Sequence, residues 1–256
     1  MPLTLVTIPC LSDNYTYLVH DDASGDTAVF DVPEAAPILS ELNRRGWRLS
    51  HVFLTHHHDD HTQGTAELLA AAPATVIGAG ADAHRLPPLD RAVAEGDSIA
   101  FGGENVAVLE VPGHTTGHVA YHMATSGILV TMDSLMHLGC GRLFEGTPEM
   151  MHASMQKMAV LPPETVVCSG HEYAETNIRF ALTIEPDNPD LISRQTEISE
   201  ARAADRPTVP TTLAQELATN PFLRCSNPQV QARLDMQGAD PVAVFAEIRK
   251  RRDGFR

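Results

Sequence analysis

Thr55-His56-His57-His58-Asp59-Asp60-His61 is the stretch whose reading decides the fold. It follows the apolar run His51–Thr55, read as a strand, and leads into a helix through Glu67–Ala72. Alternate residues of an extended segment point the same way, so His56 and His58 can face one cation together. Asp60 and His61 begin the turn into the helix and can face a second point nearby. Imidazole nitrogen and carboxylate oxygen are the ligands that Zn²⁺ and related divalent ions accept when a position is kept open for water. The bland alternative is a solvated polar turn, so the motif needs support from elsewhere in the chain.

That support lies at three distant strand ends. Pro112-Gly113-His114-Thr115 follows the strand Val106–Val111, Asp133 follows Ile128–Met132, and His171 follows the apolar run that ends at Gly170. Singly, each is an ordinary turn or cap residue. Together with the first stretch they supply five His and two Asp, enough for two ions that share a bridging carboxylate. Asp133 is the candidate bridge, because it is a sequence neighbour of neither set. The remaining histidines read as structural or solvated, with His57 and His118 the two candidates for a supporting hydrogen bond. Met150, Met151, Met155 and Met158 recur at helical spacing and read as core filler.

Around these residues the first two-thirds of the chain alternates short strands with helices. Leu3–Ile8, Tyr15–His20 and Thr27–Asp31 form a meander, Pro33–Arg45 a helix stopped by Gly46, and Thr165–Cys168 the last strand. Beyond Gly170 the pattern becomes helical: 174–185, 191–203, 212–217 and 241–251. Thr212 with Gln215 makes a capping box, and Asp240-Pro241 a cap and first-turn proline. A boundary near 170 is expected, giving a catalytic domain over 1–170 and a helical domain over 171–256. The length of 256 residues suits one large domain or one plus a small one.

Composition narrows the partners. Thirty-three acidic against 18 basic residues give a net charge of −15, which repels nucleic acid and anionic membranes. No run approaches the ~18 apolar residues of a membrane span. Met1–Cys10 reads as a strand rather than a leader. The four cysteines contain no Cys-x-x-Cys pair, so a reduced, cytoplasmic protein is expected. The acidity is uneven, because residues 242–256 carry a net charge of +3.

The 55–61 stretch with His114, Asp133 and His171 resembles the metallo-β-lactamase superfamily. A narrower set resembles the glyoxalase II (hydroxyacylglutathione hydrolase) family: Asp13-Asn14-Tyr15, Gly139–Thr147, Gly170-His171-Glu172-Tyr173, Pro207–Leu213, Asn220–Arg224 and Arg249–Asp253. The likeness covers nearly the whole chain. It implies an α/β fold, a metallo-β-lactamase-like αββα sandwich with a C-terminal helical domain, and two divalent metal ions, zinc first, with iron or manganese as alternatives. His56, His58 and His114 would hold one metal, Asp60, His61 and His171 the other, and Asp133 would bridge. Asp133 and Asp60 would be the catalytic carboxylates. Arg142, Phe144 and Tyr173 match positions that contact glutathione, and Arg249 and Arg252 those that bind its glycine carboxylate. The implied partner is a small molecule, a glutathione thioester, acted on by a monomer.

Departures from the family pattern are Asp59 where aromatics are common, Met132 where Gly is usual, Met136 for Phe, Arg252 for Lys, and Phe144 where some relatives have Tyr. None removes a ligand. Two other readings stay open at this point. One is an iron-dependent persulfide dioxygenase of the same fold, which does not need Asp60 and His61 as a second site. The other is a metal-binding relative without turnover.

Overall fold

Alternating apolar residues pair the start of the chain into an antiparallel meander: β1 (Thr4–Cys10), β2 (Asn14–His20) and β3 (Asp26–Phe30). The helix α1 (Ala35–Arg45) then crosses to β4 (Arg48–Phe53), which pairs parallel with β3. Gly46 closes α1 in the left-handed conformation (φ 69°) that lacks a Cβ penalty. A polar turn, the short α2 (Asp59–Thr62) and α3 (Thr65–Ala71) lead to β5 (Thr75–Ala79) and β6 (Arg91–Val93), completing a six-stranded mixed sheet in the order β1 to β6. A second, antiparallel series follows: β7 (Ser98–Phe101), β8 (Glu104–Glu110), β9 (Val119–Met123) and β10 (Ile128–Met132).

Tyr121 on β9 ties the two sheets together. Its ring packs 5.0 Å from Phe53 and 5.8 Å from Phe30, and its hydroxyl donates to the Leu54 carbonyl at 2.9 Å. A buried aromatic removes a large apolar area from water, while the hydrogen bond satisfies its one polar atom. On the outer side of the first sheet, Ile38 and Leu42 of α1 and Leu68 of α3 join Val29, Val52 and Val76 in one core. Each such fully buried side chain contributes about 1.5–3 kcal/mol.

The computed structural model describes residues 3–255, which form two compact units. The first runs through Glu110 and resumes at Gly117–Met132; the second comprises Val111–Thr116 and the chain from Asp133 onward. In the second unit, the two-residue strands β11 (Leu135–Met136) and β12 (Gly139–Cys140) form a hairpin. Helix α4 (Pro148–Ala159) starts where expected, with Thr147 accepting from Met150 N at 3.3 Å. Met151, Met155 and Met158 are buried on it, but Met150 is 41% exposed, which corrects its reading as core: helical spacing groups it with a face that here meets water.

Strand β13 (Val166–Ser169) precedes α5 (Ala174–Ile184) and α6 (Pro189–Ala203), which share a core with Leu138 of the hairpin. It is not the last strand. Thr211–Thr212 (β14) pairs with it before α7 (Leu213–Thr219), too short a run to show any period. The Thr212–Gln215 capping box and the Asp240 cap are formed. Helix α8 (Pro228–Arg233), capped by Asn227, had no counterpart in the sequence reading, and α9 (Pro241–Asp253) is the last element of the described residues.

Candidate functional site

In the first unit the 55–61 stretch is held from below by Asp31, a fully buried carboxylate at the end of β3. Asp31 Oδ1 accepts from Thr55 N at 2.7 Å, while Oδ2 accepts from Thr55 Oγ1 at 2.7 Å and from His61 Nδ1 at 2.8 Å. Burial pushes the Asp31 carboxyl up, and the bonds from His61 and Thr55 act against that. Because the Thr55 hydroxyl hydrogen is engaged in donating to Asp31, its oxygen accepts from His56 Nδ1 at 3.1 Å. Both His56 and His61 therefore carry the proton on Nδ1 and present an Nε2 lone pair.

Those lone pairs converge with other ligand atoms. His56 Nε2 lies 3.2 Å from His58 Nδ1, and His61 Nε2 lies 3.7 Å from Asp60 Oδ2. Atoms of Asp31, His56 and His61 come within 4.8 Å of one another. Asp60 is aimed by Asn14, whose side-chain amide donates to both its Oδ2 and its carbonyl at 3.0 Å. The extended backbone at His58 (φ −61°, ψ 143°) gives way to helical backbone at Asp59, as the change from alternating to helical placement requires. Asp59 itself points to solvent from the first turn of α2.

The two supporting histidines divide. His118 stacks on the His56 ring at 4.6 Å between centroids and 14° between planes, so it fixes the plane of that ring by packing. His57 turns to Asp82, 3.2 Å away, a buried carboxylate that also accepts from Arg85 at 2.6 Å.

In the second unit, His114 Nε2 and His171 Nε2 lie 3.4 Å and 3.3 Å from the same atom, Asp133 Oδ2. One carboxylate oxygen between two imidazoles is the placement expected of a shared ligand. His114 Nδ1 donates to the Arg142 carbonyl at 2.8 Å, which again leaves Nε2 for a metal. The approach is close: a Cβ on Gly141 would stand 2.0 Å from the Asp133 carbonyl oxygen and 2.8 Å from His114 Nδ1. Met132, directly before Asp133, takes a left-handed conformation (φ 41°), which explains why glycine is usual there. The donor set fits divalent metal ions: imidazoles with fixed tautomers, converging lone pairs, and carboxylates oriented by outer hydrogen bonds.

The residues expected to hold glutathione also gather in this unit. Tyr173 stacks on His171 at 4.8 Å, and Phe144, 60% exposed, meets His114 edge-on at 5.4 Å. Arg142 lies 5.9 Å over the Phe144 ring. Arg249 is buried, donating to the Cys140 carbonyl at 3.1 Å and to Asp253 at 2.7 Å, with Phe222 5.4 Å from its guanidinium. Arg252 donates from Nε and Nη2 to Asn177 Oδ1 at 3.2 Å and 3.1 Å. Burial, and then the nearby Arg249 cation, lower the Arg252 guanidinium below its ordinary range.

Asp31 and Asn177 were not singled out by sequence reasoning, and Asn14 entered only as part of a family motif. No spacing rule links a residue at the end of one strand to a histidine 30 positions later.

Known proteins place this geometry in a family. The family model described as metallo-beta-lactamase superfamily matches residues 14–171, and that described as hydroxyacylglutathione hydrolase C-terminus matches residues 172–255. A hydroxyacylglutathione hydrolase of Ruegeria pomeroyi is 61% identical over 255 residues, and one of Rhodobacter capsulatus is 51% identical over 256, each match covering 100% of both chains. Among solved structures, the BLEG-1 B3 metallo-beta-lactamase shares the fold with a TM-score of 0.67 at 22% identity, covering 86% of this chain and 99% of that one. TTHA1623 in a di-iron-bound form is similar with a TM-score of 0.61 at 26% identity, over 86% of this chain and 100% of the other. With metal-ligand geometry in both units and full-length likeness of this order, the chain belongs to the hydroxyacylglutathione hydrolase family of the metallo-β-lactamase superfamily.

Proposed function

We propose that this chain hydrolyses glutathione thioesters, with S-lactoylglutathione giving D-lactate and glutathione, the second step of methylglyoxal detoxification in the cytoplasm. The observation that carries the reading is a junction in the second unit. His114 is bonded to the backbone of Arg142, so a metal-ligand triplet and a cationic cluster suited to a peptide carboxylate are built on adjoining segments.

His56, His58 and His114 would hold one divalent ion, Asp60, His61 and His171 the other, with Asp133 between them and zinc the first choice. Di-iron in the similar TTHA1623 structure supports two ions and keeps iron in the set. When bound, such ions lower the pKa of water toward ~7 and polarise a thioester carbonyl. The protein's own groups do the rest. Asp31, Thr55 and Asn14 keep the ligands oriented, with Asp60 and Asp133 as the carboxylates at the reacting centre. Tyr173 and Phe144 offer aromatic faces to the peptide and Arg142 contacts it, while Arg249 and Arg252 attract its glycine carboxylate. The departing glutathione thiolate is stable enough near neutral pH to need no protonating side chain. Retention of Asp60 and His61 disfavours the one-iron dioxygenase reading.

A monomer is proposed with this function, and a catalytic domain over 1–170 with a substrate domain over 171–256, the division supported by two family models that meet between residues 171 and 172. The test is free thiol release from S-lactoylglutathione by metal-loaded protein, with and without chelator. Rapid release abolished by chelation is expected, and no release from the metal-loaded protein overturns the reading.

A further inference from the structure

The carboxylate-binding cluster already contains a carboxylate. Asp253, the last residue of α9, places Oδ1 2.7 Å from Arg249 Nη2 and 3.8 Å from Arg142 Nε. Its side chain is 44% exposed, whereas that of Arg249 is 9% exposed. Three guanidiniums gather here, and Arg249 and Arg142 both act electrostatically on Arg252. Arg252 hydrogen-bonds to the neutral oxygen of Asn177, and Asp253 acts on it electrostatically in the opposite sense to the two other arginines. An acid at a helix C-terminus also opposes the helix dipole, so Asp253 stands where α9 by itself disfavours it.

We propose that Asp253 is an internal carboxylate that competes with the glycine carboxylate of the glutathione moiety for Arg142, Arg249 and Arg252, weakening its binding in substrate and product alike. This rests on the glutathione thioester reading. Hydrolysis leaves the glycine carboxylate untouched, so whatever binds it in the substrate binds it equally in the product. Such uniform binding adds nothing to the chemical step and slows product release. A resident anion on a half-exposed side chain lowers the potential that the ligand carboxylate meets, and leaves the cations charge-balanced when the ligand departs.

Asp253→Asn keeps the size of the side chain and removes its charge, and Asp253→Ser removes charge and reach together. Full-length, metal-loaded wild type and both variants are titrated calorimetrically with S-methylglutathione and with its glycinamide analogue, after thermal melting has shown each to be folded. Loss of one charge–charge repulsion at this range predicts about three- to tenfold tighter binding of S-methylglutathione by the variants. The glycinamide analogue, which lacks the carboxylate, binds wild type and variants alike. Glutathione becomes a correspondingly stronger product inhibitor. Equal or weaker S-methylglutathione binding by a folded variant overturns the proposal, and would make Asp253 an aligner of Arg249 instead. If wild type itself fails to bind S-methylglutathione, the glutathione reading falls, and this inference falls with it by a different signature.

Discussion

The clustered histidines are oriented by atoms far away in sequence. Asp31 bonds to both Thr55 and His61, and so sets the tautomers of His56 and His61 at once. In Asp31→Asn the amide can no longer accept from every partner, and its NH₂ opposes the His61 N–H. Loss of such an outer carboxylate lowers metal affinity by about 10–100-fold. Competition with a chromogenic chelator measures this directly, and unchanged metal retention would contradict it. Gly141→Ala puts a Cβ 2.0 Å from the Asp133 carbonyl oxygen, where only backbone movement can relieve the clash. A stability loss of about 1–3 kcal/mol in urea unfolding is expected, with thioester turnover falling further because Asp133 and His114 are displaced. The His- and Asp-rich cluster was legible, since residue types and their spacing are properties of the chain. Asp31 was not, because its role depends on β3 lying beside β4.

The element that decides the second unit is the β11–β12 hairpin, whose backbone is clamped by helix side chains. Leu138 is left-handed (φ 58°) and donates its N–H to Glu216 Oε2 at 2.8 Å. The Asn220 amide donates to the carbonyls of Met136 at 3.1 Å and Gly139 at 2.9 Å, and Asn177 donates to that of His137 at 2.9 Å. Arg194 ion-pairs with Glu216 at 2.9 Å, so the buried acid is matched. Asn220→Ala would strip two buried carbonyls of their partner, at about 1–3 kcal/mol for each group left unsatisfied. Urea unfolding should show that loss, and a stability within 0.5 kcal/mol (about the spread of neutral surface changes) would refute the clamp. Helix ends were readable because caps are local: Thr147, Thr212 with Gln215, and Asp240 all bond within three residues. Strands of two residues carry no period, so the hairpin and β14 were invisible. Asn227 caps α8 by accepting from Gln229 N, but a six-residue helix is too short to give a recognisable stripe.

At the scale of the whole molecule, one buried group links pH to stability. Burial, and then the Arg194 cation, push the His137 imidazole down to about 4, against about 6.5 when unfolded. The folded state thus prefers neutral His137. Its contribution is fully present above pH 6.5 and is lost as pH falls from 6.5 toward 4, where the unfolded chain takes the proton first. The difference corresponds to about 3 kcal/mol. The unfolding free energy of wild type should therefore fall more steeply over that window than that of His137→Gln, and parallel curves would show that His137 does not titrate this way. The charge pattern also has a whole-molecule meaning. Within a chain of net charge −15, Arg142, Arg249 and Arg252 form a local cationic cluster around Asp253. By itself the sequence determined the alternating strands and helices, the helix caps and the His- and Asp-rich motifs by which the chain resembles its family. Each of these rests on periodicity or on residue type at short spacing, which survive in an unfolded chain. Only the tertiary structure decided which atoms orient those side chains, why Gly141 packs against Asp133, and that Arg142 joins Asp253 and Arg249. Those depend on segments distant in the chain being brought within hydrogen-bonding reach, and no local pattern encodes that distance.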